Sequence, residues 1–172
     1  MEDVVQRADR DCGIVLSEVI VRPIRPDERA RWDALMRRYH YLGFNRTAGR
    51  ALRQVAEWRG QWLALLLWQA CALMCGPRDR WIGWARPIQF QRLHLIANNA
   101  RFLILPEARQ PHLASRVLGL SLRRLSRDWQ LIHGHPLLLA ETFVDPARFA
   151  GTCYCAANWR CLGQTLGYAR HA

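Results

Sequence analysis

Apolar and polar residues alternate over Ser17–Arg22, the period of a strand whose side chains point to opposite faces in turn. Two apolar runs, Leu52–Trp58 and Trp62–Leu73, read as antiparallel strands, and Arg59-Gly60 between them predicts a hairpin turn. Before that hairpin, Pro26-Asp27 opens a helix predicted to reach about Tyr41, and Gly43–Arg50 reads as a loop or a short second helix. After it, Pro87–Ala97 is predicted as a helix that follows the Trp81-Ile-Gly-Trp84 segment, and Arg101–Leu105 as a buried strand. Leu113–Leu131 spaces its apolar residues for a strongly amphipathic helix. Leu137–Val144 is an apolar, β-branched run that predicts another buried strand. Asp145 then stands as an N-cap with Pro146 in the first turn of a helix over Ala147–Trp159, and Gly163 and Gly167 bracket a last strand within Leu162–Tyr168.

These elements predict an α/β (α+β) fold, a mixed and mostly antiparallel sheet flanked by helices. A chain of 172 residues that is 51% hydrophobic suits a single domain with a real core, here 17–172 behind a loose tail of residues 1–16. The longest apolar stretch, Trp62–Cys75, is broken by Gln69 and is too short to span a bilayer, and the polar N-terminus is unlike a secretory signal. A cytoplasmic protein with no membrane partner is therefore expected.

Charge narrows the functional classes. The net charge of +11 comes from arginine alone, since all 25 Lys/Arg positions are arginine. A lysine Schiff base is excluded. Guanidinium forks suit phosphate, and the cationic surplus points to DNA as a partner, although a GC-rich genome would also replace lysine by arginine. The six cysteines lack metal-ligand spacing: Cys71-x-x-x-Cys75 is apolar, and Cys153 and Cys155 would face apart on a helix by roughly 200°. No histidine pair has zinc-protease spacing, so no metal site is predicted and free thiols are expected.

Candidate chemistry concentrates between Leu137 and Tyr168. Glu141 lies inside an apolar strand, where an acid is costly to bury unless it is paired or neutral, which makes it a candidate base or electrostatic anchor. Asp145 follows; on a regular strand the two carboxylates could share a magnesium ion. Tyr154 and Asn158 would be i, i+4 neighbours on the next helix, beside Trp159. Elsewhere, His40 between Tyr39 and Tyr41 is a candidate base. Asn98, Asn99 and Arg101 could build a turn, read base edges or hold phosphate, and exposed Trp81 and Trp84 could stack on bases.

The ordered motifs Glu141-Thr-Phe-Val-Asp145, Gly151-Thr-Cys-Tyr154, Ala157-Asn-Trp159 and Gly163-Gln-Thr165 resemble the DruA family of Druantia anti-phage systems. So do His40-Tyr-Leu-Gly43, Arg78-Asp79, Trp81-Ile-Gly-Trp84, Asn98-Asn99, Arg101-Phe-Leu-Ile-Leu-Pro106 and Leu113-Ala-Ser-Arg-Val-Leu-Gly119. That resemblance, from about Ile20 to Tyr168, implies a role on DNA beside a helicase or transposase. The element order is also similar to an N-acetyltransferase fold, in which a cofactor diphosphate sits at the N-terminus of the helix after the fourth strand. Here that position is Arg109–Arg116, with Ser115 and Arg116 as phosphate candidates but without the usual glycines. Three readings follow: an enzyme that modifies or cleaves DNA around Glu141 and Tyr154, a noncatalytic DNA-recognition module, and an acyltransferase using acetyl-coenzyme A.

Overall fold

The hairpin sets the frame of the sheet. The computed structural model describes residues 13–47 and 49–165, and in it β2 (Ala51–Trp58) and β3 (Gln61–Ala70) pair antiparallel from Ala51↔Gln69 to Trp58↔Gln61. Arg59 and Gly60 join them at φ 48° and 80°, the two positive values of a turn whose twist matches that of its strands. β1 (Ile20–Pro23) adds to β2 and β4 (Ile96–Ile104) adds to β3, both antiparallel. β5 (Leu139–Glu141) joins β4 in parallel, completing a five-stranded sheet in chain order. The parallel step needs a long crossover, supplied by helix α4 (Leu113–His133).

One helix covers each face. Adjacent residues of β2 show it: Arg53 reaches Asp33 of helix α1 (Arg29–Tyr39) at 3.0 Å, while Gln54 reaches Asp128 of α4 at 3.1 Å. Trp32 and Met36 of α1 and Val117, Leu118, Leu125 and Trp129 of α4 pack on β2 and β3, where Leu63–Trp68 are all buried. Each such large apolar side chain contributes about 1.5–3 kcal/mol. A buried polar chain runs through the α4 side. Gln54 accepts from Trp68 Nε1 at 3.1 Å and Ser121 Oγ at 2.5 Å, and Asp128 accepts from Arg124 Nε at 2.6 Å. Arg124 also donates to the Val21 carbonyl, which ties α4 to β1.

The structure shortens several predicted elements. Ser17 and Glu18 lie in a 3-10 turn (Leu16–Glu18), so β1 starts at Ile20. β3 ends at Ala70 rather than Leu73. The helix expected over Pro87–Ala97 is α3 (Arg86–Arg92), and β4 already begins at Ile96, which puts Asn98 and Asn99 in the sheet and not in a turn. Helix α2 (Gly76–Ile82) was not expected, although proline opens it and Gly83 closes it at φ 73°.

The largest differences lie after β5. The strand expected over Leu137–Val144 has only three paired residues, because the chain leaves β4 after Glu141. Asp145 caps a turn instead of a long helix: its carboxylate accepts from Ala147 N at 3.0 Å, and its carbonyl accepts from Arg148 N and Phe149 N. Gly151, at φ 71°, interrupts the path, and only Thr152–Ala156 form helix α5. Asn158 sits beyond it at φ 63°, so it is not on the helix face that carries Tyr154. Leu162–Thr165 form no strand, and the rest of that expected element lies outside the described residues. No helix among the described residues is long and apolar enough to cross a membrane.

Candidate functional site

The sheet opens where β4 and β5 part. Their pairing ends at Asn98↔Glu141, while β4 continues to Ile104, and the register against β3 passes from Leu67↔Arg101 to Trp68↔Asn99, leaving Ala100 as an extra residue. Such a bulge bends the strand and re-aims its side chains. Between β4 and the chain after β5 lies a slot of about 620 Å³. It reaches from Tyr39, His40 and Tyr41 at the end of α1 to Cys153 and Tyr154 of α5, with Arg109 ahead of α4 and Ala114 in its first turn along its border.

Tyr154 is the best-fixed polar group on this wall. Its hydroxyl donates to Asn99 Oδ1 at 2.8 Å; Thr142 Oγ1 lies 3.4 Å from the Tyr154 hydroxyl oxygen and donates to the Asn99 carbonyl at 3.1 Å. Phe102 and Trp159 meet its ring edge-on at 6.4 and 5.2 Å. Burial pushes the phenol up to about 12, with the Thr142 contact opposing, so Tyr154 holds its proton at neutral pH.

The opposite wall is aromatic and cationic. His40 stacks on Tyr41 at 4.8 Å, and Phe149 lies 5.1 Å from Tyr41. Burial, reinforced by the Arg101 guanidinium, pushes His40 down to about 4. Its Nδ1 accepts from Leu42 N at 3.2 Å, which puts the proton of the neutral ring on Nε2. His40 thus offers a donor rather than a base. Arg101 donates to the carbonyls of Gly43 at 3.3 Å and Ala100 at 2.7 Å. Arg101, Arg109 and Arg148 line the slot, and no carboxylate does.

Glu141 has a different setting. It does not line the slot; its Oε1 accepts from Ala72 N at 2.8 Å and its Oε2 from Arg78 Nη1 at 2.9 Å. Arg78 is itself buried and also donates to Asp79 at 2.8 Å. Glu141 is therefore the paired kind of buried acid. Asp145 holds Ala147 N and an exposed contact with Arg148 at 3.5 Å. With each carboxylate committed to a main-chain N–H and a guanidinium, the pair does not fit a magnesium ion. The described residues hold no group of three His, Cys, Asp or Glu placed for a metal, and Cys71, Cys75, Cys153, Cys155 and Cys161 are free thiols.

The other sequence candidates are spread more widely. Ser115 Oγ donates to the His112 carbonyl at 3.1 Å and Arg116 Nε to the Leu16 carbonyl at 3.1 Å, so both serve the local structure. Asn98 lies in β4 beside Glu141, and its Oδ1 is buried without a partner among the described residues. Trp159 stacks on Trp68 at 6.3 Å in the interior. Trp81, 49% exposed, borders a second hollow of about 240 Å³ with Asn158, Trp159 and Arg160. Trp84 is half-buried under the Arg92 guanidinium. Sequence reasoning missed Arg148 and Phe149 in the slot, Thr142 behind it beside the Tyr154 hydroxyl, and Arg78 as the partner of Glu141. Arg78 and Thr142 had a signal, as parts of the Arg78-Asp79 and Glu141-Thr-Phe-Val-Asp145 motifs.

A five-stranded, mostly antiparallel sheet that opens beside its one parallel pair, with a crossover helix starting at the opening, defines an acetyltransferase-like fold. The aminoglycoside N-acetyltransferase AAC(6')-Iy, solved with a CoA bisubstrate analogue, matches 90% of this chain and 99% of its own at 12% identity and TM-score 0.60. The same enzyme with CoA matches at TM-score 0.55, with 12% identity over 90% of this chain and 95% of its own. An integron cassette protein from the mobile metagenome of Cole Harbour Salt Marsh matches at TM-score 0.53, with 11% identity over 91% and 92%. At these identities the likeness concerns the fold alone. The chain belongs to the family of the Druantia protein DruA, whose sequence profile matches residues 11–171, and this membership supports a role in anti-phage defence. No curated protein sequence matches it.

Proposed function

We propose that this chain is an enzyme acting on DNA in phage defence, with its reacting atoms in the slot between β4 and the chain after β5 and Tyr154 as proton donor. The observation that carries the reading is the character of the wall: a protonated phenol held by Asn99, three arginines and no carboxylate. The guanidiniums stabilise negative charge developing on a leaving group, whether a phosphate oxygen or a base nitrogen, and Tyr154 reaches it by turning into the slot the O–H that it donates to Asn99 Oδ1 in this structure. Glu141 acts in this reading as an anchor for Arg78, outside the reaction.

Acetyl-coenzyme A fits the slot poorly at its diphosphate end. Pro111 has no N–H to offer, Gln110 and His112 carry side chains where close backbone approach needs glycine, and Ser115 and Arg116 are bonded within the protein. The committed state of Glu141 favours one second reading, a noncatalytic DNA-recognition module that recruits a helicase or transposase.

Intact mass of single-stranded and duplex oligonucleotides after incubation, with and without magnesium or acetyl-coenzyme A, separates these readings. Fragments, base loss or added mass that disappears with Tyr154→Phe supports the enzyme. Unchanged strands despite tight binding support the module.

A further inference from the structure

We infer that the slot seats a single nucleobase turned out of a DNA strand, stacked against Tyr41 and Phe149. The inference rests on the DNA-directed reading above and names the part of DNA that enters. Four observations converge on it.

First, the volume of about 620 Å³ is that of a small-ligand site, too confined for a duplex but open to one extruded residue. Second, the wall holds two rings available for stacking. Tyr41 and Phe149 are 42% and 49% exposed and 5.1 Å apart, and His40 supports Tyr41 by stacking. Third, a flat group already occupies this place: the Arg148 guanidinium lies over the Tyr41 ring at 5.2 Å. Its ion pair with Asp145 spans 3.5 Å between side chains 60% and 41% exposed, a weak tie beside the stacking of a base on an aromatic ring. A base that takes that position releases Arg148 toward the phosphate of the same nucleotide. Fourth, the charge discriminates between ligands. Three arginines and no carboxylate line the slot, so a polycationic acceptor is repelled and a phosphate-bearing one is held.

The polar groups beside the stacking site suit a base as well. His40 carries its proton on Nε2, and Arg101 has Nη2 beyond its bonds to the Gly43 and Ala100 carbonyls, donors for the ring nitrogens and carbonyls of a nucleobase edge.

Photocrosslinking tests the proposal. Oligonucleotides carrying 5-iododeoxyuridine are irradiated with the full-length protein, and the adducts are mapped by peptide mass spectrometry. The expected adduct is on Tyr41 or Phe149, reduced at least about tenfold by Tyr41→Ala and by Phe149→Ala in variants whose circular dichroism matches the parent. Adducts confined to Trp81, Trp84 or other surface residues overturn it, as does an unchanged yield in both aromatic variants. If wild-type protein alters DNA while adducts fall elsewhere, the base seat fails and the enzyme reading stands. If adducts form at Tyr41 or Phe149 while DNA stays intact, the base seat stands and the enzyme reading fails. Absence of both overturns both.

Discussion

Replacing Glu141 tests whether the most conspicuous acid of this chain reacts or merely supports. The side chains of Arg78 and Glu141 are 5% and 11% exposed, and their N–O distance is 2.9 Å. Removing one partner of a buried ion pair costs about 3–5 kcal/mol, because the other charge stays buried. Arg78 retains Asp79 at 2.8 Å and the Ala72 carbonyl at 2.8 Å, which places Glu141→Ala at the lower end, about 3 kcal/mol. For a chain of this length that corresponds to a melting-point drop of about 6–12 °C. Glu141→Gln keeps an oxygen for the Ala72 N–H and loses only the charge, so about half that cost is expected. Urea unfolding at 25 °C and pH 7 measures both, with an unchanged denaturant slope as the check that the unfolded state is comparable. The double replacement Arg78→Met with Glu141→Leu, which removes both charges, is expected to recover most of the loss. If Glu141→Ala unfolds within about 0.5 kcal/mol of the parent, a change typical of surface substitutions, yet abolishes any DNA reaction, Glu141 is a reacting group and the anchor argument is refuted.

Further outcomes follow from other parts of the fold. Because His40 is held down at about 4, the unfolded chain binds a proton below about pH 6.5 that the folded one refuses; stability should fall as pH drops from about 6.5 to 4, and His40→Asn should flatten that limb in pH-dependent urea titrations. Arg22, with the Arg25 backbone N–H assisting, holds Glu28 at about 2 against the penalty of burial, so its contribution is present above about pH 4.5 and lost below it, and Glu28→Gln should remove this second, more acidic limb. Asp128→Ala leaves the buried Gln54 amide without its acceptor, while the part-exposed Arg124 keeps the Val21 carbonyl, and should cost about 1–3 kcal/mol by chemical unfolding. Gly60→Ala forces a side chain into φ 80° at the hairpin turn and should cost about 1–2 kcal/mol, read as a lower melting temperature.

Much of this fold was legible in the sequence because local rules and tertiary demands agree. Arg59-Gly60 specifies a hairpin by itself, and the apolar stripe of Leu113–Leu131 matches the buried Val117, Leu118, Leu125 and Trp129 of α4. The family motifs carried the recognition, and the order of elements carried the acetyltransferase-like architecture. What failed is the segment after Glu141. Thr142-Phe-Val144 has good strand propensity, but a strand also needs a partner, and β4 turns away at its bulge. Asp145-Pro146 is a sound helix start by composition, yet Gly151 in the left-handed region ends the path before a second turn forms. Neither the bulge at Ala100 nor the divergence of the strands leaves a signal in a single sequence.

That divergence also shapes the candidate site. Had the strand run on regularly to Asp145, the paired edge of β4 would have been closed, and Glu141 and Asp145 would have shared one face. Instead the parallel pairing stops at Glu141, whose side chain turns to Ala72 and Arg78, while Thr142 bonds the Asn99 carbonyl and brings its hydroxyl close to that of Tyr154. Two consecutive residues thus have separate tasks: Glu141 fixes the end of the sheet, and Thr142 fixes the phenol at the mouth it leaves open. A sheet closed at this point would bury Tyr154 as one more core aromatic. Open, it leaves a protonated phenol, bonded to Asn99, beside a cavity lined by arginine.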